Sequence, residues 1–363
     1  MPSSHPLPAS CQWFSRLAAA LDPRSGPRLA WLFVGAILAR GRRTVTSWIR
    51  AARLSPEFRP CYTTVSAAGK RADSIAARLV HGVVKPVVAG AARLTFALDD
   101  TPTPRYGRHV QGAGAHHNPS PGPAGSPFVY GHVWVVLALL AAHPAWGVVA
   151  LPLLARLYVR EKSPAGIAAK HRPTFRTKLE LAVDLMRWAV TWLGFLGKPL
   201  WVVADGAYAK APFLKPMRSL GVTVVSRLRK DSGLWTVPRP RRPGQRGRRR
   251  VYGERRIDLA KRAGRRRGWV TGTFSLYGKP AVKRYQTFVA TWRLAGGPIR
   301  VVLVDEPQGW VAYFCTNPAA TAAEVLTAVA DRFSLENAQP DYPSRRRWVC
   351  AGRIGYHRRD GVA

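Results

Sequence analysis

The chain has 363 residues, 57 of them Lys or Arg and 19 Asp or Glu, for a formal net charge of +38. Its 47% hydrophobic and 10% aromatic content excludes a disordered polymer and suits two or three domains, while the charge excess calls for a polyanionic partner, nucleic acid above all. Cys11, Cys61, Cys315 and Cys350 form no C-x-x-C pair, which excludes a zinc ribbon and a disulfide framework; with no charged segment and long apolar run at its start, the expected setting is the cytoplasm.

Residues 1–90 read as helical, with apolar positions three and four apart around Leu29–Leu38 and Ile75–Val84. Arg40, Arg42, Arg43 and Arg50 cluster there, as a DNA-binding helical region or as a solvated face. Residues 91–229 form the first part of an α/β core. Leu94-Thr-Phe-Ala-Leu98 alternates into Asp99-Asp100-Thr101 as a first strand, and Pro102–Pro127 is too polar and broken for a regular element. Phe128–Val159 is very apolar, but His132, His143, Pro144, Pro152 and Arg156 interrupt it. A membrane span needs about 20 uninterrupted apolar residues, so the expectation is two buried strands with a turn at His143-Pro144, and no membrane. A helix over Phe175–Leu196, a strand Trp201-Val-Val-Ala204 ending at Asp205, a helix Tyr208–Leu220 and a strand Val222–Leu228 follow.

Residues 230–318 change character. Arg239–Arg267 holds 14 basic residues among Pro and Gly, a stretch suited to tracking a phosphate backbone. Four β-like runs come next, at Trp269–Leu276, Tyr285–Leu294, Ile299–Val304 and Trp310–Thr316. Residues 319–338 read as one helix opened by the capping box Thr321-Ala-Ala-Glu324. At about 100° per residue its apolar arc holds Val325, Leu326, Ala328, Val329, Phe333 and Leu335, with Arg332 and Glu336 in the middle of that arc. A carboxylate on a core face is costly unless paired or bound to a metal. Residues 339–363 are an irregular, Arg-rich tail.

Few acids are candidates for chemistry. Glu57, Asp73, Glu180, Asp184, Glu254, Asp258 and Asp331 read as solvated, and Asp305-Glu306-Pro-Gln-Gly309 reads as a hairpin turn. His116-His117 lacks a third ligand at metal spacing. Asp99 and Asp100 precede Thr-Pro-Thr-Pro as turn formers or as ligands; Asp205 ends a buried strand; Glu336 pairs with Arg332 or binds a metal. Phosphodiester cleavage and rejoining uses two divalent ions roughly 3.5–4 Å apart, and Mg²⁺ prefers oxygen ligands. Two Asp on neighbouring strands and a Glu from a facing helix supply such a set.

On these residues the chain resembles bacterial insertion-sequence transposases of the DDE type, from about Thr95 to Glu336. Leu98-Asp-Asp-Thr101 resembles the first motif, in which the catalytic Asp precedes Thr; this favours Asp100, with Asp99 as the alternative. Val202-Val-Ala-Asp-Gly-Ala-Tyr208 resembles the second and makes Asp205 the second ligand. The third motif is Tyr, two residues, Arg, three residues, Glu, six residues, Lys; Arg332 and Glu336 match its centre, while Val329 and Pro343 stand at the Tyr and Lys positions.

The resemblance implies an α/β, ribonuclease H-like mixed sheet with a helical N-terminal region and a β-rich insertion. It implies metal sites at Asp100, Asp205 and Glu336 for two Mg²⁺ or Mn²⁺ ions, with Arg332 as phosphate contact or orienter of Glu336 and Tyr208 packing against the site. The activity implied is strand cleavage and strand transfer of DNA, at transposon ends and target, by a homodimer. The departure after Glu336 implies a truncation or frameshift there. A non-catalytic nucleic-acid-binding protein and an inactive transposase remnant are the alternatives.

Overall fold

The computed structural model describes residues 7, 9–41, 44–54, 58–107, 110–117, 126–162, 167, 172–241, 243–244 and 246–338, with Ser10, Val83 and residues 336–338 described by backbone alone. Two compact units divide the chain: Met1–Ala91 with Thr191–Leu196, and Ala92–Val190 with Gly197–Ala363.

The first unit is helical: α1 (Gln12–Ala18), α2 (Gly26–Leu38), α3 (Val45–Ala51), α4 (Arg59–Lys70), α5 (Ala72–Leu79) and α6 (Lys85–Val87), with a π turn at Val80–Val84 between the last two. Pro27 lies in the first turn of α2, where a missing N–H costs nothing. Thr44 and Ser47 cap α3 reciprocally. Phe14, Ala18, Leu29, Ala30 and Val34 pack as one cluster, and Leu32, Ile49 and Cys61 as another. Gly35 allows α2 and α3 to touch: a Cβ there would stand 2.1 Å from the Trp48 carbonyl oxygen. Arg40 and Arg50 are exposed; Arg42 and Arg43 lie outside the described residues.

The second unit is built on one sheet of twelve strands among the described residues. They are β1 (Leu94–Pro104), β2 (Gly114–His117), β3 (Phe128–His143), β4 (Gly147–Tyr158), β5 (Leu200–Ala204), β6 (Thr223–Leu228), β7 (Leu234–Trp235), β8 (Arg256–Ile257), β9 (Val270–Leu276), β10 (Lys279–Trp292), β11 (Gly297–Asp305) and β12 (Val311–Cys315). The helices are α7 (Lys178–Leu193), α8 (Ala211–Ser219), α9 (Leu259–Ala263) and α10 (Ala322–Ala338). The strand order is β2-β3-β1-β5-β6-β12-β11-β10-β7-β8, with β4 on β3 and β9 on β10. β1, β3 and β4 are antiparallel, and β5 and β6 add parallel to β1. This is the ribonuclease H-like arrangement. The strands that follow β6 in sequence continue the same sheet, because β12 pairs antiparallel with β6.

The apolar 128–159 stretch is the expected pair of strands, joined at 144–146. β3 is buried through its centre, whereas β4, with a neighbour on one side only, is half-exposed. No helix among the described residues is long and apolar enough to cross a membrane. The Thr321–Glu324 capping box and the turn after Asp305 are as read from the sequence.

Several expectations fail, each for a local reason. The segment from Pro102 is not a loop throughout: β1 continues to Pro104, and β2 places His116 and His117 in a strand. The prolines fit because Arg105 N–H bonds the Tyr130 carbonyl, so odd-numbered positions point to β3 and Pro102 and Pro104 point to the edge that β5 leaves after Leu98. Gly131 permits the approach, since a Cβ there would lie 2.1 Å from the Thr103 carbonyl oxygen. The helix expected from Tyr208 begins as a 3₁₀ turn, Gly206–Tyr208, and α8 starts at Ala211.

Several acids read as solvated have partners or are buried, Glu254 with Arg250 and Asp258 with the Lys261 N–H among them. Glu180 caps Thr177, and Asp184 bonds Arg156 at 2.8 Å and faces Arg176 at 3.6 Å. Asp331 lies where burial pushes its carboxyl up to about 6. Phe333, assigned to the apolar arc, is 38% exposed and meets the edge of Tyr277 instead.

Candidate active site

Strand alternation decides which acids face which helix. On β5, Trp201 and Val203 pack under Val325, Leu326 and Ala328 of α10. Side chains two apart share a face, so Asp205 is next in line on the α10 side. On β1, Ala97 packs with Leu335 of α10, and Asp99 follows it on that face. Leu98 and Ala204 are the last paired residues of the two parallel strands. Asp99 and Asp205 therefore follow side by side on chains about 4.8 Å apart. Asp100 turns to the opposite face. Because β5 ends here, the β1 edge opens beyond Ala204 and both adjacent carboxylates border that rim.

Asp99 is the more enclosed of the two. Its Oδ2 accepts from Arg332 Nη1 at 2.8 Å, in a pair only 14% and 19% exposed, and its Oδ1 accepts the Asp100 N–H at 2.9 Å. Burial raises its carboxyl above the usual range, outweighing the opposing pull of the guanidinium, and nearby Asp100 and Asp205 push the same way. Asp100 accepts from Lys178 Nζ at Oδ2 and from the Tyr208 hydroxyl at Oδ1, 3.4 Å away. Tyr208 is 2% exposed. Burial, then the neighbouring Asp100, Asp99 and Asp205, hold its phenol far up, so it stays a neutral donor. Asp205 is exposed, and among the described residues its carboxylate has no hydrogen-bonded or ionic partner.

α10 completes the surroundings. Leu335 is fully buried and Ser334 Oγ donates to the Val148 carbonyl at 2.8 Å, which fixes the rotation of its last turns. Arg332 thus reaches Asp99. The Glu336 backbone lies one turn further along; its side chain is outside the described residues, as is the tail from 339. The residues brought together are therefore Asp99, Asp100, Asp205, Tyr208 and Arg332. Among the described residues no three His, Cys, Asp or Glu side chains surround a single point. The donors are all carboxylate oxygens, the chemistry that suits a hard divalent ion.

Lys178 escaped the sequence reading. The signal was present: Thr177-Lys-Leu-Glu180 is a capping box, realised by Thr177 N–H to Glu180 Oε2 at 2.7 Å, and it places Lys178 in the first turn of α7. The register that sets this turn against β1 was not visible in sequence.

The basic stretch forms an open groove between β7 and β8, lined by Arg239, Arg241, Arg248, Arg249, Arg250 and Arg255. Glu254 beside it is held by Arg250 at 2.7 Å. Arg293 lies over the rings of Trp235 and Tyr252, 5.5 and 5.9 Å from their centres. A nearer cavity, beyond the Asp205 turn, is bordered by Gly206, Lys210, Arg229, Trp292 and Arg293.

The family description "DDE superfamily endonuclease" matches residues 18–293, a span that contains Asp99, Asp100 and Asp205 and stops before α10. No curated protein matches the chain. Endonucleases of this superfamily act on DNA and generally use divalent metal ions. With a ribonuclease H-like sheet that presents acids at the ends of two neighbouring parallel strands, and a match over most of its length, the chain belongs to the DDE superfamily endonucleases.

Proposed function

We propose that the protein is a DNA transposase that cleaves and transfers the strands of an insertion sequence, with Asp100, Asp205 and Glu336 as the ligands of two Mg²⁺ or Mn²⁺ ions. One observation carries this reading: Asp99 and Asp205 stand side by side at the ends of adjacent parallel strands, with Arg332 of α10 on Asp99 and with Asp100 beside them at the opened edge of β1. Asp100 is preferred to Asp99 because Asp99 sits in the more buried pair, 14% and 19% exposed against 37% and 26% for Lys178–Asp100, and rupture of the buried pair would strand a guanidinium. The role left to Asp99 is to anchor α10 through Arg332, which sets the rotation of the turn carrying Glu336.

A divalent ion bound there supplies positive charge at the phosphate and activates the attacking oxygen. The chain's own groups do the rest. Arg332 and Lys178 provide fixed positive charge beside the carboxylates, as phosphoryl transfer requires. Tyr208 donates to Asp100 without titrating. The arginine groove holds the DNA backbone away from the acids, and two copies acting on paired ends fit a homodimer working in the cytoplasm. Hydrolysis at a transposon end would free a 3′-hydroxyl, which then attacks target DNA.

Cleavage of the element's own terminal sequences in Mg²⁺ or Mn²⁺ tests the proposal, with Asp99, Asp100, Asp205 and Glu336 each replaced by its amide. Loss of cleavage with retained DNA binding in the last three supports it. Undiminished cleavage in Asp205→Asn removes it.

A further inference from the structure

Asp99 and Asp100 are neighbours in sequence, yet each is bound to its own cation from the opposite face of the sheet. The two pairs differ in depth. Arg332–Asp99 is 14% and 19% exposed, whereas Lys178–Asp100 is 37% and 26% exposed. The two cations differ in kind as well. A guanidinium is a rigid, planar fork, while an ammonium is a point charge on a flexible four-carbon stem.

The foot of that stem is fixed. The Thr177–Glu180 capping box pins the helix start, through Thr177 N–H and Thr177 hydroxyl to Glu180 Oε2 at 2.7 and 2.9 Å. The head pairs with Asp100, more than a quarter exposed on both sides, lies 5.7 Å from the centre of the Tyr158 ring, and has His116 within reach of its charge. Rotation of the stem would carry the ammonium off Asp100 and leave that carboxylate with the neutral Tyr208 hydroxyl.

We infer that Lys178 is a resident counter-ion of Asp100, occupying the carboxylate oxygen that a divalent ion would take and yielding it when the ion binds. The inference rests on the reading of Asp100 and Asp205 as metal ligands. Lys178 is a positioning residue: it keeps Asp100 aimed at the rim while no metal is present, and it sets a threshold that the metal must overcome. The metal competes with an exchangeable ammonium at Asp100 and leaves the buried Arg332–Asp99 pair intact.

The test is calorimetric titration of the full-length protein, without DNA, with Mn²⁺. An ammonium in contact with a carboxylate competes directly with another cation for it, and solvent screening of a pair this exposed holds that competition to about tenfold. Lys178→Met, which keeps the stem and removes the charge, is expected to bind Mn²⁺ about tenfold more tightly than wild type. Lys178→Arg is expected to restore wild-type affinity or weaken it. A purely structural lysine would give the opposite pattern, with thermal stability lowered in Lys178→Met and Mn²⁺ affinity unchanged or reduced; that result overturns the inference. Asp205→Asn separates the two levels of the argument. If it leaves Mn²⁺ binding at wild-type strength, the metal-site reading itself fails. If it abolishes binding while Lys178→Met changes nothing, the counter-ion role alone fails.

Discussion

The two halves of the sheet are made in different ways and present different chemistry at their ends. β1, β5 and β6 are parallel, buried, and end in acids or lead into short turns; β7 to β12 are antiparallel, and the loops between them carry arginines. β12 pairing on β6 joins the halves without a break. Parallel strands end together at one rim, so side chains following the last paired residues meet there. Antiparallel hairpins spread their turns to both rims, which suits a long charged track better than a point of convergence. If the acids carry the proposed chemistry and the arginines the binding, mutations in one half should leave the other's property in place.

The largest expected effect is in the acidic half. Asp205→Asn, and equally Asp100→Asn, should reduce Mn²⁺-dependent strand cleavage by about a thousandfold, the scale on which transition-state charge stabilisation acts, with DNA affinity at fixed salt changed less than twofold. A parallel fall in DNA affinity would show that the halves are not separable. Next comes the buried pair behind the site. Arg332→Met leaves Asp99 uncompensated, at a cost of about 3–5 kcal/mol in urea unfolding. Adding Asp99→Asn to that variant should restore part of the loss, since it removes the stranded charge. An Arg332→Met protein as stable as wild type would contradict the anchoring role.

In the basic half, replacing Arg248, Arg249 and Arg250 together with Ser should reduce the slope of log affinity against log salt by about 2 to 3, because each phosphate neutralised contributes about 0.9. Folding stability should not change, as all three are exposed. A retained slope would mean that the groove does not follow DNA.

The smallest effect is a pH dependence. Burial pushes Asp331 up to about 6, above its unfolded value. The protonated form is thus favoured in the folded protein, so the group's stabilising contribution is complete below about pH 4. It is lost as pH rises through about 6. Asp331→Asn should flatten the stability profile across that window, and an unaltered profile would show that Asp331 is solvated after all.

How much of this was legible in the sequence depends on the range of the interaction. Local chemistry read well: the Thr321–Glu324 capping box, the turn after Asp305, and the interruption at His143-Pro144 all act within a few residues. The buried strand ending at Asp205 was clear because five consecutive buried residues need no partner to be recognised. Register was not legible. Pro102 and Pro104 read as loop formers because their tolerance depends on β5 stopping opposite Leu98, before either proline is reached on that edge. For the same reason the division of Asp99 and Asp100 between two faces, with Arg332 on one side and Lys178 on the other, emerged only from the packing of α10 and α7. Asp184 and Asp331 looked solvated because helical periodicity marks an apolar stripe but says nothing about cations or bulk on the strands opposite.

The central claim is that Asp100, Asp205 and Glu336 share a metal site at the rim of the parallel strands. Anomalous diffraction from crystals grown with Mn²⁺ tests it most directly. The account predicts anomalous peaks at about 2.1 to 2.2 Å from carboxylate oxygens of Asp100 and Asp205, with Glu336 completing the set and Arg332 still on Asp99. Peaks confined to other acids, or Asp100 still bound to Lys178 at saturating Mn²⁺ with no peak beside Asp205, would contradict it.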